Sequence, residues 1–277
     1  MSVTAVVAER IVLAYGKHIA IDESSFTVPA GSVTAVIGPN GAGKSTILNG
    51  IAGLMRPVRG SLHLSGIGDD RRRIAYVLQT TKVNEALPIS VREVVTMGRY
   101  ASVGWHGRLT AADRAAAAAA MDKMGITDIQ TRHLRELSGG QRQRVFVAQG
   151  LAQDHDLLLL DEPLTGIDLP TARAIDAVIH DEVAAGGTVI MTTHDLSEAA
   201  VADHVLLISG RVVAEGRPDD ALTVASLTEA YGTTLLHVGD EGGVFVDDPA
   251  HAPVAGRHLH RHRTIHTESS PTDLHGE

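Results

Sequence analysis

Leu137-Ser138-Gly139-Gly140-Gln141, then a helix-length segment, then Leu157-Leu158-Leu159-Leu160-Asp161-Glu162: this stretch decides how the chain folds. A continuous apolar run of four leucines bounded by polar residues predicts a parallel strand buried on both faces. Two carboxylates leave its end. The Ser-Gly-Gly-Gln turn ahead of it is the unusual part, because strands ending in acidic pairs are common and such turns before them are not.

Working upstream, Val33-Thr34-Ala35-Val36-Ile37 reads as another buried strand and runs into Gly38-Pro39-Asn40-Gly41-Ala42-Gly43-Lys44-Ser45-Thr46. The pattern G-x-x-x-x-G-K-[ST] occurs here in the context it requires, a strand before and a helical pattern after. Gly38, Gly41 and Gly43 permit a loop whose backbone N–H groups converge on phosphate oxygens, where larger side chains would block the approach. A helix starting near Lys44 adds its positive dipole end. Lys44 supplies a point charge for the β- and γ-phosphates, and the Ser45 hydroxyl can ligate Mg²⁺. The chain therefore binds ATP or GTP.

With a phosphate cradle upstream, the acidic pair acquires roles. Asp161 is placed to hold Mg²⁺ through water, and Glu162 to polarise water for attack on the γ-phosphate. Gln79 ends the short strand Ile74–Val77. Its amide can touch Mg²⁺ or the attacking water if it faces the cradle, and is an ordinary polar strand end if it does not. His194 follows the predicted strand Thr188–Thr192; a lone histidine at a strand end is usually structural or solvated, but this one leaves the same sheet edge as Asp161, which favours a γ-phosphate contact. Tyr15, upstream of the phosphate loop, offers a flat apolar face on which a purine ring can stack.

The remaining segments follow from periodicity. Residues 3–8, 10–14, 19–21 and 26–28 read as short, antiparallel strands, and 61–64 as one more. Ser90 with Glu93, and Thr110 with Asp113, form helix-start signals before Val91–Met97 and Ala111–Met124. The run Ala115–Ala120 is the strongest helix former in the chain. Residues 80–136 thus read as a mostly helical insertion into a sheet-containing domain. Trp105 and His106 lie in its glycine-flanked link; His106 reads as loop packing, Trp105 as loop packing or as a partner contact. Pro163–Asp168 is a loop before a helix that tolerates Pro170 in its first turn. Residues 205–214 form a closing hairpin.

The chain has 277 residues, of which 44% are hydrophobic, enough for one large domain with appendages. Lys+Arg number 24 against 33 Asp+Glu, for a net charge of −9, and aromatics are 3%. That balance argues against nucleic acid as a partner, since phosphate backbones need basic surfaces. There are no cysteines, no apolar run long enough to span a bilayer and no secretory leader, all of which suit the cytoplasm. From about residue 226 the character changes. Residues 235–238 and 244–246 suggest a short hairpin, and 251–277 form a His-rich tail. His258, His260 and His262 alternate, so an extended segment would put them on one face, where neutral imidazoles can bind Zn²⁺. Arg257, Arg261 and Arg263 would repel a cation, and a disordered polar tail is the other reading.

Taken in order, the loop 38–46, Gln79, the turn 137–141, the segment 157–162, Asp168 and His194 resemble the ATP-binding subunits of ABC transporters, over residues 3 to about 225. The resemblance implies an α/β fold: a P-loop NTPase core with a mixed parallel sheet, N-terminal antiparallel strands and a helical subdomain at about 80–150. It implies ATP and Mg²⁺ as cofactors, with adenine stacked on Tyr15. A head-to-tail homodimer would sandwich two nucleotides. Ser138 and Gly140 of one copy would contact the γ-phosphate held by the other, and Gly139, Gln141 and Asp168 are further residues of the nucleotide site. The insertion would dock on integral membrane permease subunits, with Gln79 linking hydrolysis to transport and a separate solute-binding protein delivering cargo. The subunit would then sit peripherally on the inner face of the cell membrane.

Val91–Tyr100 and Pro163–Asp168 further resemble manganese, zinc and iron-chelate importers. Alternatives are a siderophore importer, an exporter, or a soluble ABC ATPase acting on DNA or ribosomes; one nucleotide domain, a short insert and an acidic balance count against the last. Gln149-Gly150 departs from the Arg-Ala usual in the family after the Ser-Gly-Gly-Gln helix.

Overall fold

Two long bulged strands open the chain, β1 (Thr4–Tyr15) and β2 (His18–Pro29), where the sequence predicts four short ones. The pairing slips between Ala8 and Ile11, with Arg10 at φ 48°. A bulge breaks the two-residue alternation without ending the strand, so the periodicity misreads it as a boundary. After β3 (Val33–Ile37) and helix α1 (Lys44–Ile51), strand β4 (Arg59–Leu64) pairs back onto β1 and completes an antiparallel sheet of order β2-β1-β4.

The computed structural model describes residues 3–65, 70–79, 88–103, 107–232, 236–238 and 244–246. These all lie in the compact unit that runs from Met1 to Val246. The sequence-predicted end of the nucleotide domain at 225 falls inside a helix, described below. His258, His260 and His262 lie outside the described residues, as do Trp105 and His106.

The second sheet adds β5 (Ile74–Val77), β6 (Leu157–Leu160), β7 (Thr188–Thr193), β8 (His204–Ile208) and β9 (Val212–Gly216) to β3. Its order is β5-β6-β7-β3-β8-β9, parallel except for the edge strand β9. The four leucines of β6 show why the run is unbroken. Leu158 and Leu160 pack among the helices of the insertion, whereas Leu157 and Leu159 pack on the opposite face with Ile47, Leu48 and Ile51 of α1. Successive side chains point to opposite faces, both faces are covered, and each buried leucine is worth about 1.5–3 kcal/mol.

The insertion contributes α2 (Val91–Met97), α3 (Tyr100–Val103) and α4 (Ala111–Lys123). Both predicted start signals are complete capping boxes, at Ser90–Glu93 and Thr110–Asp113. The helices α5 (Gly139–Ala152) and α6 (Leu169–Ala184) lead into and out of β6. Beyond β7 come α7 (Leu196–Ala200), α8 (Pro218–Ala221) and α9 (Val224–Tyr231), then the hairpin β10 (Leu236–Val238) with β11 (Val244–Val246). Buried Leu227 and Ala230 of α9 pack with Val205 and Leu207 of β8, so this helix belongs to the core on either side of residue 225.

Gly150, one half of the unusual Gln149-Gly150 pair, has a packing reason. A Cβ on it would stand 2.7 Å from Val77 Cγ2, so the glycine lets α5 seat directly on β5. The same helix meets α2 closely, since a Cβ on Gly98 would stand 2.2 Å from the Gln149 carbonyl oxygen. Arg99 then ties the end of α2 to both neighbours, donating to Asp113 Oδ1 at 3.0 Å and to the Ala152 carbonyl at 2.8 Å. Hydrogen bonds from the Thr110 hydroxyl and amide, then from Arg99, hold the Asp113 carboxyl down at about 2.

A second cluster joins the insertion to the core. Glu182 of α6 takes Lys123 of α4 at 3.2 Å and faces buried His155 at 3.4 Å, an ion pair too long for a good hydrogen bond. Burial alone would lower the His155 pKa, but Glu182, the Gln153 carbonyl and the charge of Asp156 together raise it above its ordinary value of 6.5. A raised native pKa contributes stability that is complete below the unfolded value and lost as pH rises through the native one. The Glu182 pKa is lowered, first by His155 and then, beyond a burial penalty, by Lys123, so its share is lost as pH falls through its native pKa. Replacing His155→Gln should therefore lower Tm most below pH 6.5, where Glu182 is still ionised, and progressively less as pH rises beyond it; equal loss at all pH values by scanning calorimetry would exclude the charged pair.

Candidate nucleotide site

Strand order brings the sequence motifs together. The strands β5, β6, β7 and β3 lie side by side and parallel, so the segments after each leave one sheet edge. Ligands of open α/β sheets bind at this carboxyl edge. Gln79 follows β5, Asp161 and Glu162 follow β6, His194 follows β7, and the glycine loop follows β3.

The loop from Gly38 to Gly43 fits a phosphate. Gly38 is buried under β8, and a Cβ there would stand 2.0 Å from the Ile208 carbonyl oxygen, so only glycine lets the loop begin this close to the sheet. Gly41 and Gly43 both have left-handed φ, 80° and 100°, which glycine adopts without steric cost, and the Ala42 amide between them donates to the Pro39 carbonyl at 3.1 Å. Asn40, Gly41 and Ser45 face solvent, whereas Ala42, Lys44 and Thr46 are buried and Pro39 is half-buried. The Lys44 amine donates to the carbonyls of Gly38 at 2.8 Å and Pro39 at 3.3 Å, folded back over its own loop. Burial pushes its pKa down, and the charges of Glu162 and Asp161 pull it back up. A desolvated cation near two carboxylates, at the start of a helix whose first amides are unpaired, is a donor set suited to a triphosphate and its metal.

Asp161 is buried, and its amide donates to the Val77 carbonyl at 2.9 Å. Glu162 has φ 48°, a left-handed conformation that costs a non-glycine residue about 1–2 kcal/mol. Its Oε2 accepts from Gln79 Nε2 at 2.7 Å, so the amide of Gln79 faces the site. Thr192 of β7 bridges the pair: its hydroxyl accepts from the Glu162 amide at 2.8 Å and donates to Asp161 Oδ1 at 2.6 Å. Sequence reasoning passed over Thr192. A threonine in a buried strand resembles any β-branched residue, and only the pairing of β6 with β7 reveals its neighbours.

His194 is exposed, just before Asp195, the cap of α7. Tyr15 is 53% exposed at the end of β1, and its hydroxyl accepts a long 3.5 Å contact from Asn49 of α1. Ser138 caps α5: its hydroxyl accepts from the Gln141 amide at 3.2 Å, and Gln141 Oε1 accepts from the Ser138 amide at 3.0 Å. This capping box was legible as Ser-x-x-Gln. The Ser138 proton is not used by the box, and Ser138 and Gly139 face solvent. Asp168 caps α6 by accepting from the Thr171 amide at 2.8 Å, which lowers its pKa. Gly140 lies against this cap, since a Cβ on it would be 2.9 Å from Thr171 Oγ1 and 3.1 Å from Asp168 Oδ2. The turn 137–141 and the Asp168 loop thus form one packed surface.

Beside the site a groove of about 290 Å³ opens between β5, α2 and α5. Val77, Leu78, Met97, Phe146, Gln149 and Gly150 line it, and Leu78 and Met97 are 52% and 42% exposed. Leu78 immediately precedes Gln79.

The fold and this constellation define an ABC-type nucleotide hydrolase. Residues 21–165 match the ABC transporter family model, and the chain belongs to that family, whose members are ATPases coupled to transport. It is 39% identical to the zinc transport system ATP-binding protein TroB of Treponema pallidum, over 90% of this chain and 96% of that one. The manganese transport system ATP-binding protein MntB of Bacillus subtilis is 38% identical over 84% and 94%. The chelated iron transport system membrane protein YfeB of Yersinia pestis is 36% identical over 87% and 84%. Among solved structures, the ATP-binding subunit of an ABC transporter superposes with a TM-score of 0.69 at 27% identity, over 82% of this chain and 98% of the other. A dimeric ATP-binding cassette in a post-hydrolysis state, bound to ADP and Pi, gives 0.66 at 25% identity, over 77% and 98%.

Proposed function

We propose that this chain is the ATP-hydrolysing subunit of an importer of a divalent transition metal, zinc or manganese, across the cytoplasmic membrane. The observation that carries the reading is the joining of Lys44, Gln79, Asp161 and Glu162 at one sheet edge, in a chain whose near-full-length relatives are named for zinc and manganese transport.

In this reading the loop 38–46 holds the ATP phosphates and Tyr15 carries the adenine. Ser45, Asp161 and Gln79 hold Mg²⁺, which when bound neutralises phosphate charge. Glu162 is the general base for attack by water on the γ-phosphate, and His194 contacts that phosphate. The exposed turn from Ser138 to Gln141, with the Asp168 loop packed against it, serves the nucleotide of a second copy in a head-to-tail homodimer. The apolar groove beside Leu78 receives a permease subunit and communicates with Glu162 through Gln79. No described helix is long and apolar enough to cross a membrane. In this reading the permease subunits are separate chains and this subunit sits peripherally on the inner face. A distinct solute-binding protein supplies the cargo.

Uptake of Mn²⁺, Zn²⁺ and Fe²⁺ by cells with and without the gene tests the assignment. Loss of Zn²⁺ or Mn²⁺ accumulation on deletion is expected. Loss confined to chelated iron would move the chain to the siderophore type of importer, for which the likeness to the chelated iron system protein speaks. Unchanged accumulation of all three would remove metal import.

A further inference from the structure

One hydroxyl group holds both members of the acidic pair. Thr192 is 0% exposed and lies in β7, one step beyond the last paired residues of β6 and β7, Leu160 and Met191. Its side chain shares a face with Ile190, which packs on the α1 side of the sheet. A threonine hydroxyl has one proton and two lone pairs. Here the proton goes to Asp161 Oδ1 at 2.6 Å, and a lone pair receives the Glu162 amide at 2.8 Å.

The two bonds have separate consequences. The first commits one oxygen of Asp161 to the protein and fixes the plane of its carboxylate. The second captures the amide of a residue at φ 48°, so it helps keep Glu162 in a backbone conformation that ordinary residues avoid. With that backbone held, the Glu162 side chain starts from a set direction and meets Gln79. Threonine suits the place because its β-branched side chain favours a strand and restricts χ1.

We propose that Thr192 is a positioning residue for ATP turnover, setting the placement of Asp161 relative to Glu162 without itself touching nucleotide. The proposal rests on the roles given above to those two carboxylates.

The test uses the full chain with Thr192→Val, which conserves shape and removes both bonds, and Thr192→Ser, which keeps the hydroxyl. Four quantities are measured: kcat, KM for ATP, Tm, and the Mg²⁺ dependence of binding a non-hydrolysable ATP analogue by calorimetry. Groups that orient metal ligands typically contribute about 10–100-fold to activity or affinity, and kcat of the valine variant should fall by that factor. Its Mg²⁺ half-saturation in analogue binding should rise several-fold while KM for ATP stays within about threefold. The serine variant should recover kcat to within about threefold of the parent. Wild-type kcat and Mg²⁺ response in the valine variant, or equal losses in valine and serine, would overturn the proposal. If the valine variant does not fold, Thr192→Ala takes its place with the same expected losses. Glu162→Gln, run beside these, separates the two readings: normal turnover there would sink the role of Glu162 itself, whereas an inactive Glu162→Gln with a normal Thr192→Val would sink only the positioning role.

Discussion

Glu162→Gln should reduce ATP turnover by about 10²–10⁴-fold, the contribution typical of a general base. That corresponds to about 3–5.5 kcal/mol of lost transition-state stabilisation. The substitution is nearly isosteric. A glutamine oxygen can still accept from Gln79 Nε2, and the bond to Thr192 comes from the backbone amide, which the change does not alter. What disappears is the basicity. One negative charge also leaves the neighbourhood of Lys44, where both carboxylates act on the amine, so repulsion of a triphosphate decreases. ATP binding should therefore be retained or tightened, and the ATP-bound pair of subunits should persist instead of cycling apart. Single-turnover hydrolysis together with light scattering in Mg²⁺-ATP measures both effects. Hydrolysis at the parental rate would remove Glu162 as the base.

Ser138→Arg should abolish ATP-driven pairing of subunits, and turnover with it, while each subunit still binds ATP within about threefold of the parent. The described hydrogen bonds of Ser138 and Gln141 run to each other and to Arg142, with none to residues 38–46. The turn faces solvent at the start of a helix, where unpaired amides and the positive dipole end favour a phosphate from outside. A bulky arginine would fill that place. It would also remove the cap of α5, which costs about 1 kcal/mol and lowers Tm by about 2–4 °C in a protein of this size. Ser138→Asp is the control that separates these effects. Aspartate caps as well as serine does, yet it would set a carboxylate against the partner's phosphates, so pairing should fail at nearly parental Tm. Loss of ATP binding by the single subunit in either variant would contradict service to a partner's nucleotide.

The course of the chain was legible wherever local chemistry is decisive. Capping at Ser90 and Thr110, the buried run of β6, and the strand–loop–helix around Gly38–Thr46 all follow from rules that act within a few residues. The bulged strands β1 and β2 were not legible as single elements, because a bulge leaves the hydrogen-bonded partner intact while shifting the pattern of side chains. The helix α9 was missed because what holds it is the packing of Leu227 and Ala230 on β8, a separate element. The Gln149-Gly150 departure is the point where α5 touches Val77, a reason that lies outside the helix's own sequence.

The chemistry of the site divides in the same way. Residue types and spacing were enough to mark a phosphate cradle, an acidic pair and a capped turn, since each is a short segment with its own requirement. Their assembly was not. Gln79 reaches Glu162 across 83 positions, and Thr192 reaches Asp161 across 31. Both approaches exist because β5, β6 and β7 are adjacent in a sheet whose order does not follow the chain. Strand order is set by which buried faces pack together, a property of the whole core, and a linear pattern carries no record of it. The acidic pair was thus readable from its own neighbours, while the hydroxyl that holds it comes from the adjacent strand.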